Sequence, residues 1–281
     1  MTPGRGRLNF GGAPDPPGAG GDLRLKITLV PSSGFGGDDP HRQNLVTYLI
    51  GDSVAIDAGC LALHGGPADQ ERVRHVLITH THADHVATLP IFLENCYRPG
   101  LPGPTIYGSR AVLDGLMLDL FNGRIWPDLV ALSPAGAPFL NLVRLEPGRP
   151  VDVDGLRITP VAVDHTVPTM GFIVDDGVVA VAFSSDTGPT DEIWRMASAL
   201  PHLRAVFLDS SFPDELAEFA AMTCHLTPRL FAEEIRKVLR EVRTIAIHLK
   251  PKYRDRIIAQ LEALELPRFE IGRFGVPYEF T

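Results

Sequence analysis

Residues 79–85 read Thr-His-Thr-His-Ala-Asp-His, which places three histidines and an aspartate within six positions. They follow directly on the apolar run Val76-Leu77-Ile78. A strand ending in such a loop aims several imidazoles and one carboxylate into a small volume. Neutral imidazoles with a carboxylate are the donor set that suits zinc and similar borderline divalent cations. A solvated histidine-rich loop or an expression tag is the bland alternative, but a tag would sit at a terminus and lack Asp84. A metal loop of this kind needs further ligands from distant parts of the chain.

The elements that would position those ligands are legible from apolar periodicity. Residues 23–30 alternate apolar and polar as a half-buried strand does, and residues 45–50 and 53–57 read as a hairpin through Gly51-Asp52. Residues 74–79 form a strand that ends at the histidine loop. Helical spacing follows over 86–97 and 109–121, then strands over 142–145, 156–163, 170–174 and 178–183. The last third alternates helix (190–200), strand (204–209), helix (227–241), strand (243–248) and helix (254–265). In the 227–241 helix, Leu230, Phe231, Ile235, Val238, Leu239 and Val242 fall on one stripe, with Thr227 as N-cap and Pro228 at the first helical position. His165, Asp186 and His248 each come just past a predicted apolar strand. One such residue would mean little, but three in chain order after the 79–85 loop are a joint signal. Two groups of strands with helices outside predict two face-to-face sheets covered by helices. The early hairpin argues against a doubly wound parallel sheet, which would need crossover helices there.

Composition bounds the rest. The 281 residues carry 44% hydrophobic and 21% charged residues, ordinary for a globular chain with a full core. A net charge of −8 does not suit a general nucleic-acid binder. Small anionic substrates stay open, because bound cations can supply local positive charge. Cys60, Cys96 and Cys224 do not make a disulfide framework and read as small buried or half-buried thiols. No run of about eighteen apolar residues predicts a membrane-spanning helix. Residues 1–22, rich in Gly and Pro, read as a disordered tail rather than a secretory signal, with residues 23–281 as one domain in the cytoplasm.

With these residues in view, the chain resembles the metallo-β-lactamase superfamily over nearly all of residues 23–281. The resemblance implies a four-layer αββα sandwich and two divalent metal ions, zinc first, with Mn2+ or Fe2+ as alternatives. It implies that His80, His82 and His165 bind one metal, that Asp84, His85 and His248 bind the second, and that Asp186 bridges both.

Further segments resemble the class II cyclic-nucleotide phosphodiesterases: Ile56-Asp57-Ala58-Gly59, the stretch from Leu120 to Pro127, His165 to Phe172, Leu208 to Phe212, and Cys224-His225-Leu226-Thr227-Pro228. Asp209, Ser210 and Ala83 depart from that family's usual Glu, Cys and Leu. The implied activity is hydrolysis of 3′,5′-cyclic nucleotides (cAMP, with cGMP open) to 5′-nucleotides by a metal-activated hydroxide. The resemblance implies that Asp84 serves the catalytic centre and that His225 is the proton donor to the 3′ oxygen. The implied partner is a small cyclic nucleotide, with no extended nucleic acid, no membrane, and a homodimer as the assembly.

The rival is another hydrolase of the superfamily, above all the tRNA 3′-processing endonuclease. Only about twenty residues separate His165 from Asp186, too few for the tRNA-clasping arm that some of those enzymes carry. A non-catalytic zinc module is more distant, since structural zinc sites are closed by four protein ligands. Asp57 reads equally as an orienting partner of a ligand imidazole or as a turn aspartate. Asn122 and Trp126 read as contacts to ribose or base, or as a loop cap and a core residue. His41, His64, His75 and His202 are expected to be exposed.

Overall fold

The computed structural model describes residues 25–32 and 43–281. The expected tail over 1–22, residues 23 and 24, most of the Gly/Ser/Asp-rich loop and His41 lie outside the described residues.

Each half of the chain opens with an antiparallel meander and continues with parallel strands. In the first, β1 (Leu25–Leu29), β2 (Tyr48–Ile50) and β3 (Val54–Ile56) pair antiparallel. Then β4 (His75–Leu77), β5 (Thr105–Gly108) and β6 (Asn141–Arg144) add in parallel. In the second, β7 (Val151–Val153), β8 (Leu156–Val163), β9 (Thr169–Asp175) and β10 (Ala180–Phe183) pair antiparallel. Then β11 (Leu203–Asp209), β12 (Arg243–Ile247) and β13 (Phe269–Ile271) add in parallel. The last strand, β14 (Tyr278–Phe280), returns to β1. Two seven-stranded sheets result, ordered β14-β1-β2-β3-β4-β5-β6 and β13-β12-β11-β10-β9-β8-β7.

The connections carry α1 (Pro67–Gln70), α2 (Ala83–Val86), α3 (Leu89–Asn95) and α4 (Arg110–Gly115) in the first half. The second half carries α5 (Glu192–Ser198), α6 (Ala217–Met222), α7 (Pro228–Lys237) and α8 (Arg254–Glu262).

Alternation along each strand sorts side chains onto the two faces of its sheet. Tyr48, Ile50, Val54, Ile56 and Leu77 share one core with Phe172, Val174, Val181, Phe183, Phe207 and Ile245 of the other sheet. Their neighbours Leu49, Ala55, Val76 and Ile78 point outward against Phe92 and Leu93 of α3 and Val112 of α4. Ile173, Ala182, Val206 and Ala246 point outward against Trp194 of α5, Phe231 of α7 and Ile257 of α8. Three apolar clusters therefore separate four layers, the expected αββα sandwich.

The two halves repeat the same strand plan although their sequences do not visibly repeat. Several elements differ from expectation. The 227–241 helix stops at Lys237: Val238 is extended, and Leu239, placed on the apolar stripe, is 82% exposed. Thr227 occupies the N-cap but caps with no side-chain bond. The 86–97 helix divides between α2 and α3, and the 109–121 helix passes from α4 into a π-helical turn over Leu116–Leu120. Strands β5, β7, β13 and β14 and helices α1 and α6 are additions to the predicted elements. Cys60 and Cys96 are buried and Cys224 half-buried, all as free thiols. No helix among the described residues is long and apolar enough to cross a membrane.

Candidate metal centre

The seven predicted ligands converge where the two sheets meet, past the ends of β4, β8, β10 and β12. The loop after β4 is pinned from beneath. Val46 N–H donates to the Asp84 carbonyl and Ala58 N–H to the His85 carbonyl, each at 2.8 Å. A Cβ on Gly59 would run into that Asp84 carbonyl, so the close approach of the two backbones requires glycine there.

His80, His82 and His165 each offer a ring nitrogen, and these lie within 4.8 Å of one another. His165 Nδ1 lies 3.1 Å from the Cys224 carbonyl, which only accepts, so the proton sits on Nδ1 and Nε2 presents a lone pair. That Nε2 faces His82 Nδ1 at 3.2 Å. His80 Nδ1 rests 2.9 Å from Thr79 Oγ1, while among the described residues its buried Nε2 has no hydrogen-bond partner. Burial lowers all three imidazoles below their ordinary range, His80 most, and so favours the neutral form that binds metal.

Asp84, His85, Asp186 and His248 form the second group within the same span. Asp84 Oδ2 lies 3.2 Å from His248 Nε2, and Asp186 Oδ1 lies 3.2 Å from His248 Nδ1. Asp186 Oδ2 lies 3.3 Å from His85 Nε2 and 3.9 Å from His80 Nε2, so this carboxylate reaches both groups. Among the described residues, His85 Nε2 is the second buried ring nitrogen with no well-formed hydrogen bond, although Asp186 Oδ2 stands close by.

An unpartnered buried polar atom costs about 1–3 kcal/mol. Two of them, facing carboxylates and lone pairs, fit a pair of divalent cations better than they fit each other. Burial opposes the charge on Asp84 and Asp186, yet the facing histidines hold both carboxyls below their usual range. Burial likewise opposes charge on His85, but the Asp186 and Asp57 carboxylates raise it well above the ordinary histidine value.

Asp57, which sequence left open, is the orienting partner. Its Oδ2 lies 2.7 Å from His85 Nδ1 and its Oδ1 accepts from Thr79 N–H at 2.8 Å. Asp57, Ser185, Cys224 and His248 all hold positive φ, at 60°, 58°, 50° and 58°. Four non-glycine residues in the left-handed region around one centre mark backbone held in place by its surroundings.

His225 stands beside both groups, its ring 5.1 Å from that of His165 and 5.4 Å from that of His248. Its Nδ1 lies 2.8 Å from Asp209 Oδ2, and Ser211 Oγ donates to Asp209 Oδ1 at 2.6 Å. Burial alone would lower His225, but the Asp209 charge and hydrogen bond raise it above the ordinary value.

A family model described as a Beta-lactamase superfamily domain matches residues 54–249, the stretch that carries all seven candidate ligands. The chain belongs to the metallo-β-lactamase superfamily. Among curated relatives of this superfamily member, a "Probable 3′,5′-cyclic-nucleotide phosphodiesterase" of Yersinia pestis is 25% identical over 213 residues. That match covers 66% of this chain and 60% of the relative. "Uncharacterized protein Rv1339" of Mycobacterium tuberculosis is 30% identical over 196 residues, covering 64% of this chain and 66% of the relative. The chain thus spans less than two thirds of these relatives' length. The crystal structure of unliganded yeast PDE1 shares the fold, with a TM-score of 0.72 and 16% identity over 92% of this chain and 99% of that one.

Sequence reasoning missed Thr79, Ser211 and Lys250. Lys250 Nζ lies 3.3 Å from Asp84 Oδ2 and 3.2 Å from His248 Nε2. The signal available was its place two residues after the candidate ligand His248, just past the end of β12. Asn122 caps its loop, its Oδ1 accepting from Arg124 and Ile125 N–H at 2.9 Å, and Trp126 is half-buried against the outer core of the first sheet. His64, His75 and His202 are half-buried rather than exposed, and His202 Nε2 lies 2.9 Å from Asp175 Oδ1.

Proposed function

We propose that the protein is a metal-dependent phosphodiesterase that hydrolyses 3′,5′-cyclic nucleotides to 5′-nucleotides. The observation that carries this is the Asp209–His225 pair seated against both ligand groups. A hydrolase that opens a cyclic phosphodiester needs positive charge on the phosphate and a proton for the departing 3′ oxygen, and this arrangement offers both. The name of the Yersinia pestis relative supports the same substrate class.

His80, His82 and His165 would hold one ion, Asp84, His85 and His248 the other, and Asp186 both. Bound divalent ions, zinc first and Mn2+ or Fe2+ next, supply Lewis acidity and an activated water. Asp57 locks the His85 ring by accepting its Nδ1 proton, and the Cys224 carbonyl does the same for His165. Asp84, kept anionic by His248, orients the attacking water. Asp209 accepts the Nδ1–H of His225, which leaves the Nε2 proton for the leaving oxygen. Strands β9 and β10 and their turn use up the interval between His165 and Asp186, so it carries no arm for clasping a tRNA.

The test is a comparison of metal-loaded protein on cAMP, cGMP and bis(p-nitrophenyl) phosphate. Turnover of a cyclic nucleotide supports the reading. Cleavage of the aryl diester alone keeps the hydrolytic centre and rejects the cyclic-nucleotide substrate.

A further inference from the structure

Lys250 lies three residues past the end of β12 and two after His248, and its amine reaches back over the second ligand group. Its contacts are Asp84 Oδ2 at 3.3 Å and His248 Nε2 at 3.2 Å. Those two atoms are themselves 3.2 Å apart, so the ammonium stands against the pair of donors that a metal ion in this group would take. The first group has no such neighbour. Among the described residues, the contacts of His80, His82 and His165 are Thr79 Oγ1, the Cys224 carbonyl, the Asp186 carboxylate and other histidine rings.

We propose that Lys250 is a built-in stand-in for the second metal ion, so that the two groups fill unequally. The histidine group loads first, and the Asp84–His85–Asp186–His248 group loads only as the Lys250 amine is displaced. The inference rests on the metal-centre reading but not on the identity of the substrate.

Two cations cannot share the same donors at contact distance without strong repulsion. Each ion entering the second group must therefore break the Lys250 pair with Asp84, which lowers its apparent affinity. Lys250 is free to yield. Its side chain is 30% exposed and its four-carbon stem is flexible, so the amine can swing out into solvent.

The experiment is a Zn2+ titration of metal-free protein against a competing chromophoric chelator, for wild type, Lys250→Met and Lys250→Arg. Wild type should bind two ions in separate steps, the second about tenfold weaker or more. Lys250→Met should tighten the second step by roughly two- to fivefold, the scale of one partly exposed ion pair, and leave the first unchanged. Lys250→Arg keeps the charge and the fold, and should keep the wild-type separation. A Lys250→Met protein whose second step is unchanged or weaker overturns the proposal, as does a wild type that fills both positions with one affinity. A wild type that takes up no zinc overturns it together with the metal centre. Failure on cyclic nucleotides would leave the titration untouched, so the two readings fall separately.

Discussion

Nδ1 of His225 lies 2.8 Å from Oδ2 of Asp209, and that contact decides which nitrogen of the ring faces the metal centre. Asp209 is fully buried and also accepts from Ser211 Oγ, so its carboxylate is held on both oxygens. A general acid must be protonated to act. A raised His225 therefore keeps activity to higher pH and loses it as pH climbs through its pKa. Asp209→Asn keeps the shape and removes the charge that raises the ring. The basic limb of the kcat profile should then move to lower pH, by about one unit. His225→Ala should lower kcat about a hundredfold or more while zinc still binds. An unmoved limb in Asp209→Asn would remove His225 from the proton-donor role.

Asp57 acts at one remove from the ligands. It holds His85 Nδ1 at 2.7 Å and ties the start of the 79–85 loop through Thr79 N–H. Asp57→Ala should weaken zinc binding by about 10- to 100-fold, the usual cost of losing such a partner. Chelator competition measures it, and unchanged affinity would show that His85 needs no orientation.

Gly59 lies against the Asp84 carbonyl so closely that any Cβ displaces backbone. Gly59→Ala should lower the thermal midpoint and zinc affinity together, because it moves the segment that carries Asp84 and His85. A folded Gly59→Ala protein with wild-type zinc affinity would contradict this link.

The core between the sheets sets the frame. Phe207 stacks on Phe183 at 4.7 Å between ring centroids and meets Tyr278 edge-on at 5.5 Å. Phe207→Ala removes a fully buried aromatic ring and should cost about 3–5 kcal/mol in denaturant unfolding. A loss under about 1 kcal/mol would show that the sheets repack freely there.

The candidate ligands were legible because the 79–85 loop, His165, Asp186 and His248 each follow an apolar strand, which needs no knowledge of what packs where. The partners were not. Asp57 was ambiguous because whether its carboxylate faces His85 depends on how β3 and β4 sit side by side. Ser211 meets His248 only once β11 and β12 lie side by side, and Lys250 meets Asp84 only once β12 ends beside the 79–85 loop, which no local pattern announces. The same holds for the fold. Long apolar stretches such as β8 and β9 read correctly, whereas β5, four residues behind Pro102-Gly103-Pro104, was too short to show a period. The 227–241 helix was overextended because apolar residues continue past Lys237, but Val238 turns extended and Leu239 faces solvent.

The most direct test of the account is the phosphorus NMR spectrum of 3′,5′-cAMP incubated with zinc-loaded protein, alongside Asp84→Ala. The cyclic phosphate signal should give way to that of 5′-AMP in wild type and persist in Asp84→Ala. Appearance of 3′-AMP, or an unchanged cyclic phosphate with both metals bound, would contradict it.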